Sequence, residues 1–147
     1  MRGATVTYRE LWNDAGLLAR GLAVRGVRPR DRVALILPAG LEFVRLFWAV
    51  QRLGATSVAF NPFVPEETAT KRAERVKPKL IIRGAEAIPP LLSSASEQKG
   101  EDGLPELHPD DLAFLQPTSG TTGESRAVMI PHRSLLAVLA SAAEALQ

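Results

Sequence analysis

The stretch that decides the fold is RVALILP, residues 32–38, together with ATSVAF, residues 55–60. Each is a short, nearly continuous apolar run, which is typical of a strand covered on both faces, and proline lies at or just after the end of each run. Between the two runs, apolar side chains recur at helical spacing until Gly54 ends the segment: Leu41, Val44, Phe47, Trp48 and Leu53. Strand, helix and strand in this order predict a β-α-β unit.

The same alternation continues on either side of this unit. Thr7-Tyr8-Arg9-Glu10 has the form of a capping box and predicts a first helix that ends at Gly26. Pro65-Glu66-Glu67 predicts the start of another helix, because a first turn tolerates proline and its dipole favours acids. Residues 80–82 and 112–115 predict further strands. We therefore predict an α/β fold, with a mostly parallel sheet and helices on both faces.

The 147 residues divide into three parts within one predicted domain. Residues 1–83 contain the β-α-β pattern. Residues 84–109 are rich in proline, serine and other polar residues, and predict a long, variable surface loop. Residues 110–147 predict a hairpin around a loop rich in glycine and hydroxyls, followed by a helix with one apolar face: Leu135, Leu139, Ala142 and Leu146.

The composition excludes several classes of protein. Hydrophobic residues make up 46% and charged residues 23% of the chain, so intrinsic disorder and a coiled coil are disfavoured. No apolar run reaches the length of a membrane span and no export signal is present, so we predict a cytoplasmic protein. The net charge is +2, and the basic residues lack an interleaved aromatic pattern, so we predict that nucleic acid is not a partner.

Metal and nucleophile chemistry is limited by the side chains present. The chain has no cysteine, and its two histidines, His108 and His132, lie in different segments, so we predict no metal site built by the protein. Asp110-Asp111 resembles a metal-binding pair, but an Asp-Asp pair before a strand is more typical of a turn. We interpret His132 as a contact at a helix start, and Phe47 and Trp48 as core residues.

The most informative segment is TSGTTGESR, residues 118–126, which precedes a predicted strand at residues 127–130. Glycine lets backbone amides turn toward one centre and approach a ligand closely, and hydroxyls add donors. A guanidinium suits phosphate oxygens. These residues therefore predict a site for a polyphosphate, formed by Thr118, Ser119, Gly120, Thr121, Thr122, Gly123 and Arg126.

Two other kinds of phosphate loop do not fit this segment. A Walker A loop needs four residues between its glycines and a following lysine, whereas Gly120 and Gly123 are separated by two residues. The dinucleotide-binding fingerprint opens a helix, whereas this loop leads into a predicted strand. A hydrophilic hairpin turn remains an alternative on composition alone.

The segment TSGTTGESRAV, residues 118–128, resembles the phosphate-loop signature of the adenylate-forming superfamily, T-S-G-[ST]-T-G-x-P-K-G-V. Three positions depart from it: Ser125 replaces proline, Arg126 replaces lysine and Ala127 replaces glycine. Further segments are similar to the opening third of those enzymes, in the same order: residues 7–11, 32–38, 41–43, 53–55, 61–62 and 77–82.

The resemblance implies a function. In this superfamily a carboxylate attacks the α-phosphate of ATP, with Mg²⁺, to give an acyl-adenylate, and coenzyme A is the usual acceptor. It therefore implies an acid–thiol ligase of the acyl-CoA synthetase type, in fatty acid metabolism, with a small-molecule carboxylate as substrate. Residues 118–126 are similar to the loop that holds the β- and γ-phosphates.

The resemblance also implies that the chain is the first part of a larger N-terminal domain, with its catalytic residues expected downstream. We expect the isolated chain to be inactive, to expose apolar surface, and to form a homo-oligomer or pair with a complementing polypeptide. The alternative, suggested by Ser125, Arg126 and Ala127, is an inactive remnant or a module that binds ATP or pyrophosphate without chemistry.

Overall fold

The computed structural model describes residues 5–96, 105–118 and 127–145. Its helices and strands follow one another as an α/β alternation. In chain order they are α1 (Tyr8–Val24), β1 (Arg32–Ile36), α2 (Leu41–Arg52), β2 (Thr56–Ala59), α3 (Glu66–Glu74), β3 (Leu80–Arg83), a 3₁₀ turn (Ala85–Ala87), α4 (Ile88–Ser96), β4 (Leu112–Pro117), β5 (Ala127–Pro131) and α5 (His132–Ala145).

The strands form one sheet in the order β3-β1-β2-β4-β5. The first four are parallel: Val33 pairs with Leu80 across β1 and β3, and Ser57 pairs with Phe114 across β2 and β4. The strand β5 runs antiparallel to β4. The prediction of a mostly parallel sheet is confirmed, and β1 lies inside it as its unbroken apolar sequence indicated.

Helices cover both faces of this sheet, as predicted. Alternate residues of a strand point to opposite faces, and in β1 Val33 and Leu35 pack with α1, α2 and α4, while Ala34 and Ile36 pack with α3. The larger core contains Leu18, Leu22, Leu46 and Val50 from α1 and α2. The smaller core is closed by Ala69 and Ala73 of α3.

The first helix begins as the capping box predicts. The Thr7 hydroxyl oxygen accepts the Glu10 amide at 3.2 Å, and the Glu10 carboxylate accepts the Thr7 amide at 2.6 Å. The Thr7 hydroxyl also donates to the Glu10 carboxylate at 2.8 Å, and the bonds from the Thr7 amide and hydroxyl hold the pKa of Glu10 below its usual value, because both favour the ionised carboxylate. The chain leaves the helix through Gly26, whose positive φ of 83° is unstrained for glycine.

The prediction of a surface loop over residues 84–109 is wrong for its first half. Ala85–Ala87 and Ile88–Ser96 are helical, and Leu91 and Ala95 are buried, with Leu91 in the larger core. Pro89 and Pro90 lie in the first turn of α4, where no intrahelical partner is needed for the missing amides. Residues 97–104 lie outside the described residues, and residues 105–108 have no regular structure.

Phe47 and Trp48 pack as interior aromatic residues. Their ring centroids lie 5.7 Å apart, and Phe47 also meets Phe114 of β4 edge to face at 5.9 Å. These contacts join α2 to the strand that leads into the candidate loop. Phe47 packs against the larger core, which supports its interpretation as a core residue, whereas Trp48 is half-buried beside it.

The last helix is covered much less than the others. None of the α5 residues that the structure describes is buried, and Leu136 and Val138 are 63% and 66% exposed. The predicted exposure of apolar surface is therefore present in this part of the chain. Within the described ranges, no helix has the length and apolarity that crossing a membrane requires.

Candidate phosphate-binding loop

The two strands on either side of residues 118–126 hold the ends of that segment together. In the antiparallel pair of β4 and β5, Leu115 lies opposite Met129, Gln116 opposite Val128, and Pro117 opposite Ala127. The segment thus connects two paired strands and does not open a helix. This agrees with the exclusion of the dinucleotide fingerprint from the sequence.

The position of the segment in the fold is also informative. Because β4 is parallel to β1, β2 and β3, its last residue, Pro117, lies at the edge where all four strands have their carboxyl ends. We call this edge the carboxyl edge. In open α/β sheets ligands bind at this edge, outside the strand ends. The candidate loop therefore begins where such a fold binds its ligands.

Of the predicted site residues, Thr118 is described and lies exposed directly after β4. The others lie outside the described residues: Ser119, Gly120, Thr121, Thr122, Gly123 and Arg126. Ala127, which departs from the resembled pattern, is the first residue of β5 and is half-buried opposite Pro117. Alanine at this position fits a paired strand.

Other described loops also lie at the carboxyl edge. Residues 60–65 follow β2, the parallel neighbour of β4, and the Asn61 side-chain oxygen accepts the Phe63 amide at 2.8 Å. Phe63 is 83% exposed. Both α2 and α3 begin at this edge, so the positive dipole end of each helix faces this side of the molecule, and α2 has no side-chain cap at Gly40.

Arg83 ends β3 at the carboxyl edge, and the sequence analysis did not single it out. Its guanidinium donates to the Thr70 hydroxyl at 2.5 Å and pairs with the Glu66 carboxylate at 3.3 Å. The sequence feature that could have identified Arg83 is its position directly after the predicted strand at residues 80–82. Since Glu66 and Thr70 both belong to α3, this cation ties α3 to the sheet.

The two aspartates and two histidines noted in the sequence meet at the opposite edge. Asp111 accepts the His108 amide at 2.9 Å and pairs with Arg30 at 3.0 Å, and both interactions lower the pKa of its carboxyl. Asp110 pairs with Arg133. This arrangement supports the interpretation of Asp110-Asp111 as a turn.

His132 begins α5 beside that turn, and its amide donates to the Asp111 carbonyl at 3.0 Å. Burial lowers the pKa of its imidazole below the usual value, and the Asp111 carboxylate partly opposes this shift. The strand β4, about 20 Å long for six residues, separates this turn from the candidate loop. His132 is therefore a contact at a helix start and is not brought to the loop.

Comparisons with known proteins agree with this geometry. The family described as "AMP-binding enzyme" matches residues 1–147. The chain is 29% identical over 158 residues to 4-coumarate–CoA ligase 2 of Nicotiana tabacum, covering 91% of this chain and 29% of the ligase. It is 33% identical over 144 residues to Gramicidin S synthase 2 of Brevibacillus brevis, covering 91% of this chain and 3% of that synthase.

Solved structures show the same fold. The apo MatB structure from Rhodopseudomonas palustris superposes with a TM-score of 0.77 at 24% identity, over 92% of this chain and 31% of MatB. The fatty acyl-adenylate ligase from L. pneumophila, solved with acyl adenylate and pyrophosphate, gives 0.74 at 29% identity, over 92% of this chain and 27% of the ligase. The chain thus spans less than a third of these relatives, and it belongs to the AMP-binding enzyme family.

Proposed function

We propose that this member of the AMP-binding enzyme family supplies the phosphate-binding loop of an enzyme that activates a carboxylic acid with ATP. The observation that carries the proposal is the pairing of Pro117 with Ala127, which fixes both ends of residues 118–126 at the carboxyl edge. The donor set also fits the ligand: hydroxyls, backbone amides and the Arg126 guanidinium are all groups that bind phosphate oxygens.

The proposed reaction has two steps. A carboxylate oxygen attacks the α-phosphorus of ATP, the bond from that phosphorus to the β-bridging oxygen breaks, and pyrophosphate leaves. In the second step the thiol of coenzyme A gives up its proton to solvent, its sulfur attacks the acyl carbonyl carbon, the bond from that carbon to the phosphate oxygen breaks, and AMP leaves. The loop holds the β- and γ-phosphates and stabilises the negative charge that develops on the leaving pyrophosphate.

Magnesium accompanies ATP in this proposal. When bound, it neutralises phosphate charge. In the described ranges, no group of three or more histidine or carboxylate side chains lies close enough together to hold a metal ion. We therefore propose that the phosphates of ATP bring the ion to the loop, whose sequence includes the hydroxyl residues Thr118, Ser119, Thr121 and Thr122.

The acid substrate is proposed only as a class. The relatives named above include a 4-coumarate–CoA ligase, a gramicidin S synthase and a fatty acyl-adenylate ligase. These names differ in the product or acid that they give, so fatty acid metabolism is one of several contexts. Coenzyme A as the acceptor rests on the likeness to the 4-coumarate–CoA ligases.

The first prediction concerns which polypeptide activates an acid. The assay is ATP–pyrophosphate exchange with 4-coumarate, phenylalanine, malonate and decanoate. The chain spans 29% of the N. tabacum ligase, so we expect exchange from the polypeptide extended beyond Gln147 and none from the 147 residues alone. Exchange by the isolated chain would refute its incompleteness. An extended, folded polypeptide that exchanges with none of the acids would refute the ligase proposal.

Arg126→Ala in the extended polypeptide should weaken MgATP binding about tenfold or more, because a charge-assisted bond contributes about 1.5–3 kcal/mol. Lys71→Ala is the matched control, since it removes an exposed cation that pairs with Glu67 on α3. Equal affinities of the two variants would contradict a role for Arg126 in phosphate binding.

The second candidate is a module that binds ATP or pyrophosphate without chemistry. Ser125, Arg126 and Ala127, which depart from the resembled signature, favour it. Calorimetry on the isolated chain separates the two candidates. Saturable MgATP binding by the 147 residues, combined with the absence of exchange in the extended polypeptide, would support the module.

A further inference from the structure

The strand β4 contains a bulge near its start. Leu112 lies opposite Pro131 of β5 and Phe114 lies opposite Ile130, so the pairing advances by two residues in β4 and by one in β5. Ala113 is therefore the additional residue of a bulge, and it is fully buried. A bulge bends the strand that carries it and changes the direction of the residues that follow. In β4 those residues lead into the candidate loop.

The side chain of Gln51 bonds to this bulge from α2. Its amide donates to the Ala113 carbonyl at 3.0 Å and to the Ser57 hydroxyl of β2, also at 3.0 Å. Gln51 is 6% exposed and Ser57 is fully buried. A buried carbonyl needs a donor, and in this interior a side chain supplies it. The bulge is thus held by α2 as well as by the neighbouring strands.

The backbone ladder that holds β4 to the parallel part of the sheet is short. It pairs two residues of each strand, starting at Ser57 and Phe114, whereas β1 has four pairs with β2 and four with β3. Fewer backbone bonds restrain the direction of a strand less. The Thr56 hydroxyl donates to the Leu112 carbonyl at 2.8 Å, next to the bulge. Thr56 and Gln51 therefore add restraint where the ladder has few bonds.

A small change of direction at the bulge is sufficient to displace the candidate loop. Thr118 follows Ala113 by five residues, which span about 17 Å in a strand. If β4 turned by about 10° at Ala113, Thr118 would move by about 3 Å over that length. In an enzyme, a misplacement of about 1 Å can lower the rate about a hundredfold.

We propose that Gln51 is a positioning residue for the phosphate-binding loop. By holding the bulge at Ala113 it sets the direction of β4, and so it places residues 118–126 to receive the β- and γ-phosphates. The effect on ATP rests on the function proposed above, whereas the effect on the direction of β4 does not. The bonds that carry it lie between α2, β2 and β4.

The first test is the kinetics of ATP–pyrophosphate exchange in the extended polypeptide, with the acid of the panel above that supports exchange. Gln51→Leu should raise the KM for ATP at least about tenfold and leave the KM for the acid unchanged, because the displaced loop contacts ATP. Thr56→Val should also raise the KM for ATP, and Thr56→Ser, which keeps the hydroxyl, should restore it. Loss of stability alone would lower the folded fraction, and hence kcat, and would leave both KM values unchanged.

Gly21→Ala is the control for lost stability. It forces α1 against the backbone of Leu91 and leaves the bonds to the bulge intact. It should lower the free energy of unfolding without changing the KM for ATP. An equal rise of this KM in Gly21→Ala and Gln51→Leu, or a fall in kcat alone in Gln51→Leu, would overturn the proposal.

The second test measures the direction of β4 without ATP, in the 147-residue chain, which has no cysteine. Nitroxide labels are attached to Gln116→Cys, near the end of β4, and Lys71→Cys, on α3, both at exposed positions, and pulsed electron paramagnetic resonance gives the distance between them. Gln51→Leu should shift or broaden this distance by about 3 Å, and Thr56→Ser should not.

This distance separates the proposal from the proposed function. An unchanged distance in Gln51→Leu would overturn the role of Gln51, whether or not the extended polypeptide shows exchange. A shifted distance together with no exchange by the parent polypeptide would refute the ligase function and still support the placement of β4 by Gln51.

Discussion

At the scale of single residues, Gly21 lies where α1 passes close to the backbone of α4. A Cβ at this position would run into the carbonyl oxygen and carbon of Leu91, which are backbone atoms and cannot move aside separately. Gly21→Ala gains about 1 kcal/mol of helix propensity, but overpacking costs about 1–3 kcal/mol. We expect a net loss of stability, measured as the free energy of unfolding in urea.

Gly16→Ala, in the same helix, is the control for that substitution. Its Cβ would meet the end of the Arg52 side chain at 3.1 Å, and a flexible side chain can shift by a few tenths of an ångström. Here the gain in helix propensity should dominate, so we expect unchanged or increased stability. If both variants lose stability equally, the close approach at Leu91 is not the cause.

His132 gives a prediction about pH. Burial lowers the pKa of its imidazole in the folded chain below the usual value of 6.5, so the unfolded chain binds the proton more readily. The free energy of unfolding should therefore fall as the pH drops below about 6.5, until the folded state also takes up the proton. His132→Gln should flatten this dependence, measured by urea unfolding between pH 7.5 and 5.

His108→Gln is the matched control for this titration, because His108 is the other histidine and lies exposed on the neighbouring turn. Loss of the pH dependence in this variant, to the same extent as in His132→Gln, would show that the effect does not belong to His132. The Asp111 carboxylate, whose pKa is lowered, stabilises the fold at pH values above its usual pKa of 3.8. This contribution is lost only below that value and so falls outside the measured range.

At the scale of elements, a side chain of α2 joins the two central strands nearest the candidate loop. The buried Gln51 amide donates to the Ser57 hydroxyl of β2 and to the Ala113 carbonyl of β4, both at 3.0 Å. The Thr56 hydroxyl adds a bond to the Leu112 carbonyl at 2.8 Å. The strand that carries the candidate loop is thus held by side chains as well as by its backbone.

Gln51→Leu removes this bridge and leaves buried partners without a donor. We expect a loss of about 1–3 kcal/mol in the free energy of unfolding and faster hydrogen exchange of the β4 amides. Gln116→Leu, on the exposed side of β4, makes the same chemical change without breaking the bridge and should have little effect. Similar exchange rates in both variants would show that the backbone ladder alone fixes β4.

The elements also show which patterns in the sequence are sufficient for prediction. The continuous apolar run around β1 and the capping box at Thr7 predicted their elements because each pattern acts locally. Helix α4 was missed because Pro89 and Pro90 are typical of loops, and what stabilises this helix is the packing of Leu91 on α1, a distant segment. A contact between two segments that lie far apart in the chain cannot be inferred from the residues next to α4 in the sequence.

At the scale of the whole molecule, burial is uneven. The elements from α1 to β3 close two cores around β1, whereas β5 and α5 are exposed at the end of the sheet. The sequence predicted the succession of strands along the chain, the mostly parallel sheet and the position of the candidate loop between β4 and β5. It could not predict that Asp111, Arg30 and His132 meet at the opposite edge, because that depends on the order of strands in space.

Because Pro117 pairs with Ala127, the closure of the segment between them and the contacts of that segment with a ligand depend on different residues. The ladder of β4 and β5 closes the nine intervening residues regardless of their side chains, so substitutions within them are free to alter ligand preference at little expense in folding. A substitution at Ser125 or Arg126 would therefore leave the pairing of β4 with β5 in place, since neither residue belongs to that ladder.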